Sequence, residues 1–158
     1  MNEYMKIAKD LADTNLKDNE GGPFGACTVK DGVVVGKGDN RVLINHDPTA
    51  HAEITAIRDA SKNLNTYDLT GCVLYTSCYP CPMCLAACIW ANIKTVYYGN
   101  TKEDAENIGF RDDNIYEYLD RLCDGYNIDD ILKLINIDRD ETIKSFEEFM
   151  KKEDKTIY

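Results

Sequence analysis

A chain of 158 residues suits one domain that buries roughly 70% of its unfolded surface, and an apolar share of 44% excludes an intrinsically disordered chain. Eighteen basic residues against 28 acidic ones leave a net charge of −10, with no Lys/Arg run able to displace counterions from phosphates, so no nucleic-acid partner is expected. Met1–Lys6 has no apolar core like that of a secretory signal, and the uncharged run Met83–Ala91 is far short of the ~18–20 residues of a membrane span, so no membrane partner is expected either.

In chain order, Asn2–Leu16 places Ile7, Ala8, Leu11 and Ala12 on one helical face, and Glu20-Gly21-Gly22-Pro23 breaks it. Two short runs, Ala26–Lys30 and Val33–Lys37, are joined by Asp31-Gly32, a strong hairpin signal. Asp47-Pro48 predicts the start of a helix running to about Lys62, with Asp capping and Pro at the first helical position. Cys72–Thr76 reads as a buried strand, Pro82 as the start of a second helix and Thr95–Tyr98 as another strand. A helix near Asn114–Leu122, an apolar run Ile131–Ile135 and a helix near Thr142–Lys152 follow. There is no repeat, low-complexity tract or linker, so residues 1–158 are expected to form one domain. The order helix, hairpin, helix, strand, helix, strand, helix implies an α/β class with the sheet in the middle layer.

Seven cysteines stand at 27, 72, 78, 81, 84, 88 and 123. An odd number, four of them within eleven residues, does not match a secreted disulfide framework. A reducing cytoplasm fits better, with some thiolates on a metal.

Zinc prefers tetrahedral nitrogen and sulfur donors, and a catalytic site keeps three protein ligands and one open position. His51, Cys81 and Cys84 supply that set and imply one Zn2+ per chain. The two cysteines are three apart at a helix start, so both can face one point, and the exposed N–H groups there favour thiolates. Glu53 is the natural proton shuttle between an activated water and a leaving amino group. Residues two apart on a regular helix diverge by roughly 200°, so His51 and Glu53 converge only if the site lies off the helix end.

The same cysteines admit two other arrangements. With Cys78 or Cys88 as a fourth ligand they would close a structural zinc site, which leaves Glu53 without a purpose. Cys78, Cys81, Cys84 and Cys88 also spell the spacing of a bacterial iron–sulfur run, although Ile89 stands where the usual proline would follow. That arrangement would make the protein an electron carrier.

His51-Ala52-Glu53 with Pro80-Cys81-Pro82-Met83-Cys84 resembles the signature of zinc nucleobase deaminases. Gly21-Gly22-Pro23-Phe24-Gly25-Ala26, Asp47-Pro48-Thr49-Ala50 before His51, and Tyr75-Thr76-Ser77-Cys78 extend the resemblance to bacterial guanine deaminases of the cytidine deaminase fold, over about residues 4–118. The resemblance implies a three-layer α/β/α sandwich with a central five-stranded mixed sheet. It also implies hydrolysis of a free nucleobase, guanine to xanthine and ammonia, by a homodimer whose C-terminal segments (here about 125–158) pack on the partner. Carried over by position, Asn40 would hydrogen-bond the purine, and Phe24 and Trp90 would line or stack on the ring. Backbone N–H groups around Ala52 and Cys81 would contact substrate, Asp112 would hold its polar edge and help move protons, and Tyr158 would close the pocket.

Plainer readings stand beside these. Asn40 suits a turn, Phe24 and Trp90 suit a core, Asp112 and Asp113 suit a solvated acidic pair, and Tyr158 suits a frayed end. Arg58 reads as a helix-surface residue and His46 as a loop residue. Tyr79 occupies the position where many relatives carry Glu, and a phenol is no anionic anchor at neutral pH. Within the same superfamily, tRNA adenosine deaminase shares Asp-Pro-Thr-Ala-His-Ala-Glu but requires a basic face, whereas the tail here mixes Lys144, Lys151, Lys152 and Lys155 with Glu141, Glu147, Glu148, Glu153 and Asp154. Cytosine or a nucleoside presents a similar amino-bearing ring and remains an alternative substrate.

Overall fold

The computed structural model describes every residue except Asn19, Arg111 and Tyr158, together with the side chains of all the others but Asp18 and Asp113. Helix α1 spans Glu3–Asp18, and Asn2 Oδ1 caps it by accepting from the backbone N–H of Tyr4 and Met5 at 2.9 and 3.1 Å. Strands β1 (Gly25–Lys30) and β2 (Val33–Asp39) form the expected hairpin. Its two turn residues, Asp31 and Gly32, both take positive φ (50° and 77°), as a tight hairpin of this twist requires. A short helix α2 (Val42–Asn45), which no periodicity announced, precedes α3 (Ala52–Leu64). Strand β3 (Cys72–Cys78), helix α4 (Pro82–Trp90), strand β4 (Thr95–Asn100) and helix α5 (Lys102–Asn107) follow, then α6 (Asp112–Cys123) and α7 (Arg139–Lys151). No helix among the described residues is long and apolar enough to cross a membrane.

The start of α3 corrects the expectation from Asp47-Pro48. Asp47 Oδ1 accepts from the backbone N–H and the hydroxyl of Thr49 at 2.8 and 2.7 Å, which closes a local turn. The helix therefore begins at Ala52, with His51 as its N-cap.

The sheet is mixed, in the order β2-β1-β3-β4, with β1 antiparallel to both neighbours and β4 parallel to β3. It has four strands among the described residues, not five. The run Ile131–Ile135 is not a strand, because the N–H groups of Ile131 and Leu132 both turn back to the Ile128 carbonyl at 2.8 and 3.0 Å. Those donors are spent locally and cannot join a ladder.

Residues 1–116 and 117–158 form two compact units. In the first, helices cover both faces of the sheet. Gly25 lies against α1, whereas its neighbour Ala26 faces the opposite way, as strand alternation demands. Register puts Gly38, Ala26 and Thr76 in one row across β2, β1 and β3, beneath the first turns of α3. The core on this face is built of small residues, Ala26, Ala52, Ala56 and Ala60, closed by Leu69, Leu74, Cys88 and Ile93. Gly36 and Gly38 let α3 sit so close that a Cβ on Gly38 would collide with the Ala52 carbonyl and the Ala56 N–H. In the second unit, the Arg121 guanidinium donates to the Asn127 carbonyl at 2.9 Å, and Leu132, Leu134, Ile135 and Phe146 are exposed.

Because the atoms under Gly38 are backbone and cannot swing aside, Gly38→Ala is expected to lose about 1–3 kcal/mol of stability. Urea unfolding checks this through a lower midpoint at unchanged slope, and a wild-type midpoint would show that the seam yields.

Candidate active site

His51 and Cys81 hold the same position on two different helices. Each is the N-cap, of α3 and α4 respectively, with extended backbone (φ −65°, ψ 159° and φ −65°, ψ 167°), and neither side chain caps its own helix. N-cap side chains ordinarily turn back onto the exposed N–H groups of the first turn. These two turn outward instead, towards each other. Pro82 opens α4 without wasting a donor, which leaves Cys81 at the N-cap and Cys84 on the first turn.

The three donor atoms form a near-equilateral triangle. Cys81 Sγ lies 3.6 Å from His51 Nδ1 and 3.6 Å from Cys84 Sγ, and Cys84 Sγ lies 3.7 Å from His51 Nδ1. A tetrahedral zinc with ordinary Zn–S and Zn–N lengths has edges of about 3.8 Å (S to S) and about 3.6 Å (S to N). The donor set and its spacing therefore fit zinc. Among the described residues this is the one group of three such side chains brought together.

The triangle also polarises its own protons. The hydrogen bond shared with Cys84, and then that with His51, hold the Cys81 thiol well below the usual thiol range despite burial. The same bond with Cys81, followed by burial, pushes Cys84 up. His51 is raised, chiefly by its hydrogen bond to Cys81.

Glu53 sits in the first turn of α3 and is buried. With His51 outside the helix as its cap, the two converge off the helix end, which resolves the angular problem posed by their spacing. Glu53 Oε1 accepts from the Thr76 hydroxyl at 2.9 Å, and Oε2 lies 3.5 Å from Cys84 Sγ. Burial is the main cause that raises its carboxyl above the ordinary range.

Cys78 and Cys88 do not join the triangle. The Cys78 thiol meets the Thr101 carbonyl at 3.5 Å, and Cys88 belongs to the apolar core. Burial keeps both protonated, at about 11. Among the described residues, neither the iron–sulfur run nor a closed four-ligand site is formed.

His51, Glu53 and Cys81 line a cavity of about 590 Å³, within the usual range for small-molecule sites. Phe24, Asn40, Tyr79 and Asp112 also line it. Asn40 Oδ1 accepts from the backbone N–H of Gly22 and Val42 at 3.3 and 3.2 Å, so the amide orientation is set with Oδ1 engaged. Gly21 makes this possible, since a Cβ there would reach Asn40 Oδ1 at 2.7 Å and collide with its carbonyl. Phe110 meets Phe24 edge-on at 4.8 Å and also lines the cavity. Its place two residues before Asp112 was the available signal, and sequence reasoning missed it. Tyr79 packs edge-on against Tyr98 at 5.0 Å, with the Lys102 ammonium 4.8 Å above its ring.

Trp90 is not brought to this cavity. It ends α4, about 13 Å along the helix from Cys81, and is 70% exposed. Ala52 is fully buried as the first residue of α3, so only its backbone N–H is at the helix end. Tyr158 lies outside the described residues, as does the side chain of Asp113. Arg58 is exposed with its guanidinium 3.5 Å from Asp47, and His46 is the exposed cap that ends α2.

Comparison with known proteins places this geometry. The model for the cytidine and deoxycytidylate deaminase zinc-binding region matches residues 1–100. Guanine deaminase from Bacillus subtilis is 50% identical over 118 residues, which cover 75% of this chain and 76% of that one. A crystal structure of guanine deaminase from Bacillus subtilis superposes with a TM-score of 0.90 at 40% identity, covering 100% of this chain and 99% of that one. A tRNA-specific adenosine deaminase from Buchnera aphidicola is 44% identical over 96 residues, covering 61% of this chain and 59% of its own.

Cys81→Ala, Cys84→Ala and His51→Ala are each expected to reduce zinc well below one per chain, as measured by elemental analysis of the purified protein. Stoichiometric zinc in any of the three would remove that residue from the ligand set.

Proposed function

Because this chain belongs to the cytidine and deoxycytidylate deaminase family, as a homologue of guanine deaminase, we propose that it hydrolyses guanine to xanthine and ammonia. The observation that carries this reading is the extent of the match. The Bacillus subtilis guanine deaminase structure covers 100% of the chain at a TM-score of 0.90, whereas a tRNA:A34 deaminase structure covers 63% at a TM-score of 0.61. The net charge of −10 supports the same choice against a polyanionic substrate.

The cavity suits a flat, neutral ring that carries an exocyclic amine. Phe24, braced by Phe110, offers a face for stacking. The Asn40 amide, its oxygen already engaged, presents its NH2 to a ring or carbonyl acceptor. The Asp112 carboxylate, which also lines the cavity, is the acceptor for N–H groups of the base in this proposal. Backbone N–H groups at Ala52 and Cys81 add donors where the two helices begin.

Zinc, when held by His51, Cys81 and Cys84, supplies the Lewis acidity that makes water nucleophilic near neutral pH. Glu53 takes the proton released as water adds to C2 of the base and delivers it to the adjacent ring nitrogen. It then assists transfer of a proton to the departing amino group, so that ammonia leaves and the carbonyl of xanthine forms. Burial of Glu53 keeps bulk water from competing for that proton.

The ammonia released from guanine, cytosine, adenine, guanosine and cytidine tests the substrate, with guanine expected to be preferred. Turnover of cytosine but not guanine would reject the substrate and keep the chemistry. In the same assay Glu53→Gln is expected to keep its zinc and lose roughly two to four powers of ten in rate.

The working unit in this proposal is a cytoplasmic homodimer, each chain a single deaminase domain whose segment from about residue 125 packs on its partner. The free state of all seven cysteines supports the compartment. The exposed Leu134, Ile135, Ile137, Phe146 and Met150 support a covered C-terminal segment, since so much apolar surface seldom faces water. Sedimentation should give twice the chain mass of 17.9 kDa, and a monomer that deaminates guanine would refute the dimer.

A further inference from the structure

Thr76 is the fifth residue of β3, 1% exposed, on the sheet face that α3 covers. Its row neighbours are Ala26 and Gly38, and the preceding inward residue is Leu74. Valine has the same shape as threonine and would fill such a place without burying a hydroxyl. A buried hydroxyl is costly unless it is bonded, and among the described residues this one donates to Glu53 Oε1 at 2.9 Å.

A glutamate carboxyl has two equivalent oxygens, and its last torsion is broad, so the side chain alone does not choose which oxygen faces the chemistry. The Thr76 hydroxyl fixes one of them, while the Cys84 thiol and the Glu53 backbone also meet the carboxyl. Oε1 is occupied as an acceptor, and Oε2 is the oxygen beside Cys84 Sγ, at 3.5 Å. We infer that Thr76 is a positioning residue, whose hydroxyl holds the Glu53 carboxyl so that Oε2 takes up and returns the proton. In this scheme the proton lost by water resides on Oε2 and leaves on the ring nitrogen, while Thr76 keeps its own proton throughout. The inference rests on the reading of Glu53 as the proton shuttle.

Two substitutions separate the hydroxyl from the methyl group. Thr76→Val keeps the shape and removes the donor; Thr76→Ser keeps the donor and removes the methyl. With zinc-loaded full-length protein, Thr76→Val is expected to lose roughly ten- to a hundred-fold in kcat with KM within about twofold, and Thr76→Ser to stay within about threefold of the wild type. Both should retain stoichiometric zinc. A valine variant as fast as the wild type, a serine variant slower than the valine variant, or zinc loss in the valine variant would each overturn the inference. Crystal structures of the two variants give a readout free of activity: Glu53 should hold its place in Thr76→Ser and turn in Thr76→Val. An unmoved Glu53 in the valine variant would also overturn it. Failure of the deaminase reading looks different, as wild-type protein that releases ammonia from none of the bases.

Discussion

Two helix N-termini aim at one point, and the residues that would normally cap them face outward. This end-on convergence of α3 and α4 is what the site depends on. Each helix contributes an N-cap donor, and α4 adds a second from its first turn, in the same offset that a capping box uses. The partial positive charge at both helix ends favours thiolate there. A donor triangle with edges of 3.6 to 3.7 Å follows from helix geometry and needs no long loop to fold around it. It also explains why His51 and Glu53, only two residues apart, can serve one site. One ends the extended segment and the other lies in the first turn of the helix.

The sheet supplies the other half of the arrangement. Small residues on β1, β2 and α3 bring the first turn of α3 down onto the row Gly38, Ala26, Thr76. Glu53 therefore reaches across to β3 at hydrogen-bond distance, although it is 23 residues from Thr76 in sequence. The asparagine side of the cavity is built in the same way. Gly21 has no side chain, so the chain can pass against Asn40 and the carboxamide oxygen can be held by backbone donors. Shape at the backbone level thus precedes chemistry at the side-chain level on both sides of the site.

This division decides what can be read from the chain alone. His51, Glu53, Cys81 and Cys84 are legible because short local spacings carry their chemistry, and Asp31-Gly32 is legible because a hairpin of that kind needs positive φ. The start of α3 is not, because an Asp that closes a turn on Thr49 looks the same in sequence as an Asp that caps a helix. Ile131–Ile135 has strand composition, but strand pairing is a tertiary event, and its first two N–H groups are consumed by a turn. Thr76 emerges only when strand register brings it to Glu53, and Phe110's role shows once loop placement sets it against Phe24. Trp90, which resemblance assigns to the ring, stands at the far end of α4 and does not line the cavity of its own chain.

The glycine and alanine seam between β2 and α3 bears on how this protein can change over time. Gly36, Gly38, Ala52, Ala56 and Ala60 carry almost no chemistry, and their role is to take up little room. Substitutions there are constrained by volume, so polarity or charge is a secondary matter and any enlargement lifts the helix that presents His51 and Glu53. In the proposed reading, by contrast, ring preference would rest on residues such as Tyr79 and Asn40, which line the cavity and are not part of that seam. Selectivity can therefore drift while the hydrolytic machinery stays in place, because the two are carried by structurally separate sets of residues.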